Sequence, residues 1–278
     1  MQWRCRQEIE DALWAAARAQ LPARALERKL LVRAITERTA LYTTEREHLQ
    51  AVARDAMPAV DLAARALFFT VADAAKISIP LGELAGRGLL PSGERWKVLD
   101  LGAGAGAMGL GILSYAADQH PGLGLDIEAV DLDEGALSIY QAALKEVSMS
   151  ELDLGELSIR TRAASTRGLA IKPGGYDLVI LGSVLNELSE AARIELMALA
   201  MQGVNEGGAL IAIEPALRET SRGLHRVRNS LAAGGATIFA PCTRQAPCPA
   251  LDDERDWCHE DRPVVLPSRA RQIAQLTG

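Results

Sequence analysis

Three glycines at alternate positions, Gly102, Gly104 and Gly106, follow directly on the apolar run Val98–Leu101 and precede the apolar helical stretch Ala107–Ala117. The run is too short for a helix and reads as a buried strand. A strand, a glycine turn and a helix N-terminus together let a ligand approach the backbone and meet free N–H groups, the arrangement used for nucleotide-type cofactors. A second apolar run, Leu125–Asp131, ends in an acidic residue where a ribose-binding carboxylate belongs. Asp131 is therefore expected to accept hydrogen bonds from two ribose hydroxyls, with helix capping as its alternative role. Asp100, just before the turn, is expected either to anchor the turn through a hydrogen bond or to meet a cationic part of the ligand.

The elements that must position these residues alternate in type. Strands are expected at Val98–Leu101, Leu125–Asp131, Glu156–Arg162, Tyr176–Leu181, Gly208–Glu214 and Ala236–Ala240. Helices are expected at Ala107–Ala117, Asp133–Val147 (with Asp133 as N-cap), Ser189–Gly203 and Ala216–Leu231. Strands alternating with helices predict an α/β fold, a mostly parallel sheet covered on both faces. In such a sheet the ligand lies at the carboxyl ends of the strands, where strand order reverses, so the glycine turn should face the segment after the fourth strand.

Residues 1–93 read as a helical region. Ile9, Leu13, Ala16 and Ala17 recur at helical spacing, as do Leu26, Leu30, Leu31 and Ile35, with Pro22 between the two helices. Further helices are expected at Thr44–Ala56, where His48 sits on the surface, and at Val60–Ala75. Pro80–Gly93 reads as a linker into a cofactor domain over 94–240, followed by a cysteine-containing loop and tail over 241–278. The helical region is either a cap packed on the cofactor domain or an arm for a partner or RNA, because Arg18, Arg24, Arg28, Lys29 and Arg33 concentrate positive charge.

A net charge of −6 over 278 residues argues against a generally basic nucleic-acid binder, though not against a local basic face. No apolar run reaches membrane-spanning length and no targeting signal is apparent, so a cytoplasmic protein is expected. In that reducing setting the spacing Cys242, Cys248, Cys258 suggests a metal centre, iron–sulfur or zinc, with three buried free cysteines as the alternative. After the fourth strand, Ser183, Asn186 and Glu187 are candidates for contact with substrate, and Asn186 and Glu187 are alternatively caps of the next helix; Glu214 ends the fifth strand on the same edge. Arg218, Arg222 and Arg226 fall on one helical face and are candidates to grip RNA phosphates, or form an ordinary solvated face. His120 and His225 have no evident partner in the sequence.

Val98–Gly106 with Asp131 resembles the cofactor loop of class I S-adenosylmethionine-dependent methyltransferases. The resemblance covers about Arg95–Ala240 and implies a Rossmann-like sheet binding S-adenosylmethionine. It puts Gly102, Ala103, Gly104 and Gly106 beside the methionine and ribose portions and the loop Ala163–Ala164–Ser165 beside the adenine, with Asp100, which precedes the glycine pattern, as a further cofactor-binding candidate. The segment Gly182–Glu187 lacks the Asn/Asp-Pro-Pro-aromatic signature of many amino-group methyltransferases. Glu214-Pro215, Ala240-Pro241-Cys242, Cys248-Pro249 and Asp256-Trp257-Cys258-His259 make the chain similar to a narrower group. This is the methyltransferase-like family associated with the small subunit of mitochondrial ribosomes, which also has bacterial members. That family implies a role in small-subunit assembly and translation at rRNA, and a [4Fe–4S] cluster for which Cys242, Cys248 and Cys258 match three of four cysteine ligands. Cys5, His259 or an exogenous ligand would supply the fourth. Three functions follow: a methyltransferase acting on or near rRNA, a non-catalytic assembly factor that binds cofactor and metal, or a small-molecule methyltransferase.

Overall fold

The computed structural model describes residues 3–43, 57–242 and 244–277. The helix expected over 44–56, with His48, lies outside the described residues.

The N-terminal region opens with a short strand β1 (Trp3–Arg4), then α1 (Gln7–Gln20) and α2 (Arg28–Thr43), with Pro22 between them as expected. Next comes α3 (Pro58–Ala64), which runs through a π-helical turn at Arg65–Phe69 into α4 (Thr70–Ala74), a 3-10 turn and α5 (Ser78–Ala85). The linker expected over Pro80–Gly93 is thus shorter than its glycine and proline content implied. Pro80 falls in the first turn of α5, where a missing N–H leaves no intrahelical bond unmade.

The sheet domain runs β2 (Arg95–Leu101), α6 (Ala107–Gln119), β3 (Gly124–Asp131), α7 (Glu134–Ser148), β4 (Leu157–Ala163), β5 (Tyr176–Gly182), α8 (Glu190–Gly203), β6 (Val204–Ile213) and α9 (Arg218–Ala233). All pairings in this five-stranded sheet are parallel, in the order β4-β3-β2-β5-β6. This is the Rossmann-like α/β architecture expected from the sequence, and its strand order reverses between β2 and β5. The central strands are buried on both faces, which is why they read as continuous apolar runs.

Ala236–Ala240 does not form the expected sixth strand. The Gln245 side chain accepts from the Ile238 amide at 2.9 Å and donates to the Ile238 carbonyl at 2.7 Å. A side chain thus satisfies the backbone groups that a sheet edge would otherwise pair. Beyond it, β7 (Val264–Val265) pairs in parallel with β1, and α10 (Ser268–Thr277) begins on the fully buried Glu10, whose carboxylate accepts from the Arg269 and Ala270 amides at 3.0 and 2.6 Å. Glu10 acts there as a cap supplied by a distant helix.

The N-terminal helices share one hydrophobic core with the sheet: Ile9, Leu13, Leu67 and Leu81 cluster with Val98, Leu110 and Ile127. The reason lies in α6, whose residues Met108–Ala116 are all buried. A helix apolar on every side needs cover on every side. The sheet supplies one side, and α4, α5 and the N-terminal strand supply the other. Ser114 Oγ accepts from the Arg6 amide at 3.0 Å, and Gly111 lies so close to α4 that a Cβ there would stand 2.0 Å from the Ala74 carbonyl oxygen. The cap reading of the helical region is therefore the one observed in packing.

Gly111→Ala should push α4 from α6 and destabilise the chain by about 1–3 kcal/mol, the usual cost of overpacking. Urea denaturation checks it; unchanged stability would mean that the α4–α6 contact yields freely.

Candidate functional site

The glycine turn stands at the carboxyl end of β2, and Gly102, Gly104 and Gly106 all have positive φ (67°, 52° and 90°). Such angles are strained for most side chains and favour glycine. The turn does face the segment after β5: a Cβ on Gly102 would fall 2.2 Å from Val184 Cγ2.

Not every amide of the turn is available. Gly102 and Ala103 both donate to the Val130 carbonyl (2.8 and 3.0 Å), and Gly106 donates to the Ala103 carbonyl at 2.8 Å. Gly104 donates to Asp131 Oδ2 at 2.8 Å. Among the described residues, the amides of Ala105, Ala107 and Met108 have no hydrogen-bond partner, and the latter two open α6. The available donors therefore sit one step further along than the glycines themselves, at a helix N-terminus.

Asp131, half-buried, is the anchor of the turn. One oxygen takes the Gly104 amide; the other takes the Asp133 amide at 2.8 Å. Each carboxylate oxygen keeps a further lone pair for a ligand hydroxyl. Asp133 caps α7 by accepting from the Ala136 amide at 2.9 Å, as the sequence suggests. Leu132, between the two acids, is 76% exposed. It is an apolar side chain held in water beside the turn, and the sequence reading passed over it.

Asp100 does not anchor the turn. It is buried behind it, and neither its Oδ2 nor the buried Tyr140 hydroxyl has a partner at hydrogen-bonding geometry. Burial pushes the Asp100 carboxyl up to about 7; the nearby Asp131 charge adds to this, while the Gly109 amide and Tyr140 hydroxyl pull the other way. Ala164, just past the end of β4, donates its amide to the Asp131 carbonyl at 2.9 Å and packs against a separate apolar cluster that includes Leu101, Val130 and Leu181.

The post-β5 segment is fixed by residues whose polar groups are already engaged. Ser183 adopts a positive φ of 60° and donates its amide to the Ile213 carbonyl at 2.8 Å. Glu214 accepts from the Leu185 and Asn186 amides at 2.8 and 3.1 Å, so it serves as a brace for the 3-10 turn at Leu185–Glu187. Burial raises its pKa, and the Asn186 side chain with those amides offsets the rise. Arg193 on α8, unmarked by any motif, donates to the Leu185 carbonyl at 2.6 Å. Ser189 caps α8, so neither Asn186 nor Glu187 does. The Glu187 amide donates to the Val184 carbonyl at 3.1 Å, while its carboxylate has no hydrogen bond or ion pair among the described residues. Desolvation in the cleft raises its pKa; Asp131 and Glu214 raise it further, and Arg38 and Arg65 lower it.

The arginine stripe is only partly free. Arg222 donates to the carbonyls of Ala250, Asp253 and Asp256 at 2.6–2.7 Å. Arg226 pairs with Glu190 at 2.9 Å, while Arg218 is exposed. Arg228 donates to the Ala246 carbonyl at 2.6 Å, Asn229 accepts from the Cys248 amide at 2.9 Å, and His225 Nε2 accepts from the Cys258 amide at 3.3 Å. One face of α9 is thus a clamp for the backbone of the cysteine loop. This corrects the reading of Arg222 as a phosphate contact, and gives His225 its partner.

The cysteines themselves are not gathered. Cys242 and Cys258 are exposed, Cys248 is half-buried and Cys5 is buried far back on the N-terminal side; all four are free thiols. Among the described residues no group of three His, Cys, Asp or Glu side chains could hold a metal ion. The donor set therefore does not fit the [4Fe–4S] cluster or zinc ion expected at Cys242, Cys248 and Cys258. A cavity of about 570 Å³ lies elsewhere, between Thr166–Ala170 and α8, because the connection from β4 to β5 carries no helix to fill that space.

Residues 94–275 match the family described as mitochondrial small ribosomal subunit Rsm22. The chain belongs to this family. The match begins at the edge of β2 and ends in α10, so it takes in the Rsm22 sheet and cysteine loop but not α1–α5. No curated protein matches the chain. Among solved structures the chain is similar to a SAM-dependent methyltransferase from Methanosarcina mazei (14% identity, 41% of this chain and 50% of that one, TM-score 0.33). It is also similar to a SAM-dependent methyltransferase from Leishmania major (14%, 56% and 61%, TM-score 0.37) and to an arsenic(III) S-adenosylmethionine methyltransferase from Chlamydomonas reinhardtii (20%, 43% and 39%, TM-score 0.35). The chain thus spans half of the first of these structures and less than two thirds of the other two. No helix among the described residues is long and apolar enough to cross a membrane.

Asp100 makes the site's pH behaviour testable. Its pKa rises from 3.8 to about 7 on folding, so between those values the folded chain holds a proton that the unfolded chain releases. Stability from this group therefore falls as pH rises through that window. Asp100→Asn removes the titration. Its stability relative to wild type should grow between pH 5 and pH 8 by an amount on the order of 2 kcal/mol. Urea denaturation at the two pH values measures it, and a constant difference would contradict the assignment.

Proposed function

We propose that this Rsm22-family chain binds S-adenosylmethionine at the glycine turn and acts as a methyltransferase-like factor on or near small-subunit rRNA, in ribosome assembly or translation. The observation that carries the reading is the cleft at the reversal of strand order. It combines unpaired amides at the start of α6, Asp131 across the turn, and a braced segment, Ser183–Glu187, opposite. The family's description supports a ribosomal partner.

The residues present fit the group. The open amides of Ala105, Ala107 and Met108 suit the carboxylate end of the methionine portion, the spare lone pairs of Asp131 suit the ribose hydroxyls, and exposed Leu132 suits the flat adenine. When bound, S-adenosylmethionine supplies a methyl group on a sulfonium for in-line displacement. The chain's part in such a reaction is alignment and the exclusion of water. Glu214 and Arg193 hold the post-β5 segment rigid against Gly102, which fixes the wall an acceptor would meet. Of the acceptor-side candidates, Glu187 and the Ser183 hydroxyl retain unengaged polar groups; Glu214 and Asn186 are occupied with the loop.

That occupation favours a second reading: a non-catalytic assembly factor in which cofactor binding orders the cleft. Arg218, exposed at the start of α9, is the stripe residue that has no partner among the described residues and so stays open to RNA phosphate.

Incubation with S-adenosylmethionine labelled on its methyl group and small subunits from cells lacking the protein tests both readings. Label in small-subunit RNA, reduced at least tenfold by Asp131→Ala, is expected of the enzyme. Binding to subunits without label would select the assembly factor. Neither binding nor label would contradict the proposal.

A further inference from the structure

The residues matched to the family begin at 94, yet the helices before them reach the cofactor edge. Leu62 of α3 packs on the first turn of α7, where a Cβ on Gly135 would stand 3.0 Å from Leu62 Cδ2. One helical turn on, Arg65 opens the π-helical turn, an irregularity that often marks functional positions. Its Nη2 donates to Asp133 Oδ2, and its Nε donates to Asp61 Oδ2 at 3.1 Å. Arg38 of α2 holds the other Asp61 oxygen, with Nε at 2.6 Å. The polar chain therefore runs Arg38, Asp61, Arg65, Asp133, Asp131, Gly104, from the N-terminal helices to the glycine turn.

We infer that Arg65 is a positioning residue of the cofactor site, fixing Asp133 and through it the Asp131 carboxylate that receives the ribose. The inference rests on the reading of the turn as an S-adenosylmethionine site. Its physical basis is a pair of acids two residues apart at one sheet edge. The Asp133 amide must point at Asp131 Oδ1 while the Asp133 carboxylate turns back to cap α7. The guanidinium of Arg65 on the Asp133 carboxylate locks its rotamer while that carboxylate caps α7, and so holds the Asp133 amide against Asp131. Against a desolvation that would raise it, the Ala136 amide and the Arg65 guanidinium hold the Asp133 carboxyl below its usual range. The side chains of Arg65 and Asp133 are 25% and 36% exposed, so the pair is less screened than an ordinary surface ion pair. Arg65 itself need not touch the ligand.

Calorimetry of the full chain with S-adenosylhomocysteine, and with its 2′,3′-dideoxyribose analogue, separates positioning from mere structure. Arg65→Ala should weaken S-adenosylhomocysteine about tenfold, the scale of one charge-assisted hydrogen bond. Arg65→Lys should restore most of the loss. The analogue, which offers Asp131 no hydroxyl, should bind wild type and Arg65→Ala alike. Arg65→Gln, which keeps length and donors but not charge, replaces the alanine variant if that one fails to fold. An effect under twofold overturns the inference alone, and an equal penalty on both ligands makes Arg65 a folding residue. No uptake by the wild type removes the cofactor reading and the inference with it.

Discussion

One carboxylate holds the cleft together. Asp131 ends β3, takes the amide of Gly104 from the turn after β2, and takes the amide of Asp133 from the start of α7. Two loops that leave adjacent parallel strands are joined by a single side chain that keeps lone pairs for a ligand. The shape of the turn follows from this. With the amides of Gly102, Ala103, Gly104 and Gly106 all engaged inside the protein, the donors left over are those at the mouth of α6. Behind the turn, the buried Asp100 Oδ2 and Tyr140 hydroxyl have no partner at hydrogen-bonding geometry among the described residues. That costs stability, and such local costs are concentrated where function requires them.

A similar economy governs the other side of the cleft. Ser183 in a left-handed conformation, Glu214 beneath the Leu185 and Asn186 amides, and Arg193 on the Leu185 carbonyl leave the post-β5 segment little freedom. Farther out, α9 binds the backbone of the cysteine loop through Arg222, His225, Arg228 and Asn229. Charged side chains that look like a surface for a partner are largely spent on internal carbonyls. The N-terminal helices complete the enclosure: they cover α6, and through Arg38 and Arg65 they bring positive charge to an edge otherwise lined by Asp131, Glu187 and Glu214.

The sheet was legible because burial on both faces writes each central strand as an unbroken apolar run, as in Val98–Leu101 and Tyr176–Leu181. The glycine turn and Asp131 were legible because their spacing along the chain is the geometry itself. Asp133 as a cap was legible for the same local reason. What failed depended on partners distant in sequence. Ala236–Ala240 has strand-like residues, but Gln245 claims the backbone of Ile238. Arg222 has helical spacing with Arg218 and Arg226, but its partners lie 28 to 34 residues away. The link from Arg38 to Asp61, and from Arg65 over 68 residues to Asp133, carries no pattern that a local reading could detect. The cysteine spacing suggested convergence, yet spacing fixes only contour length, and the clamped loop keeps Cys242 and Cys258 at the surface.

The central claim is that the ligand enters between the turn, Asp131 and the braced segment after β5. Hydrogen exchange with and without saturating S-adenosylhomocysteine reads this out peptide by peptide. The account predicts slowed exchange at 103–109, 131–133 and 183–187 together, with the cavity beside Thr166–Ala170 less affected. Protection confined to that cavity, or none at 103–109, would contradict it.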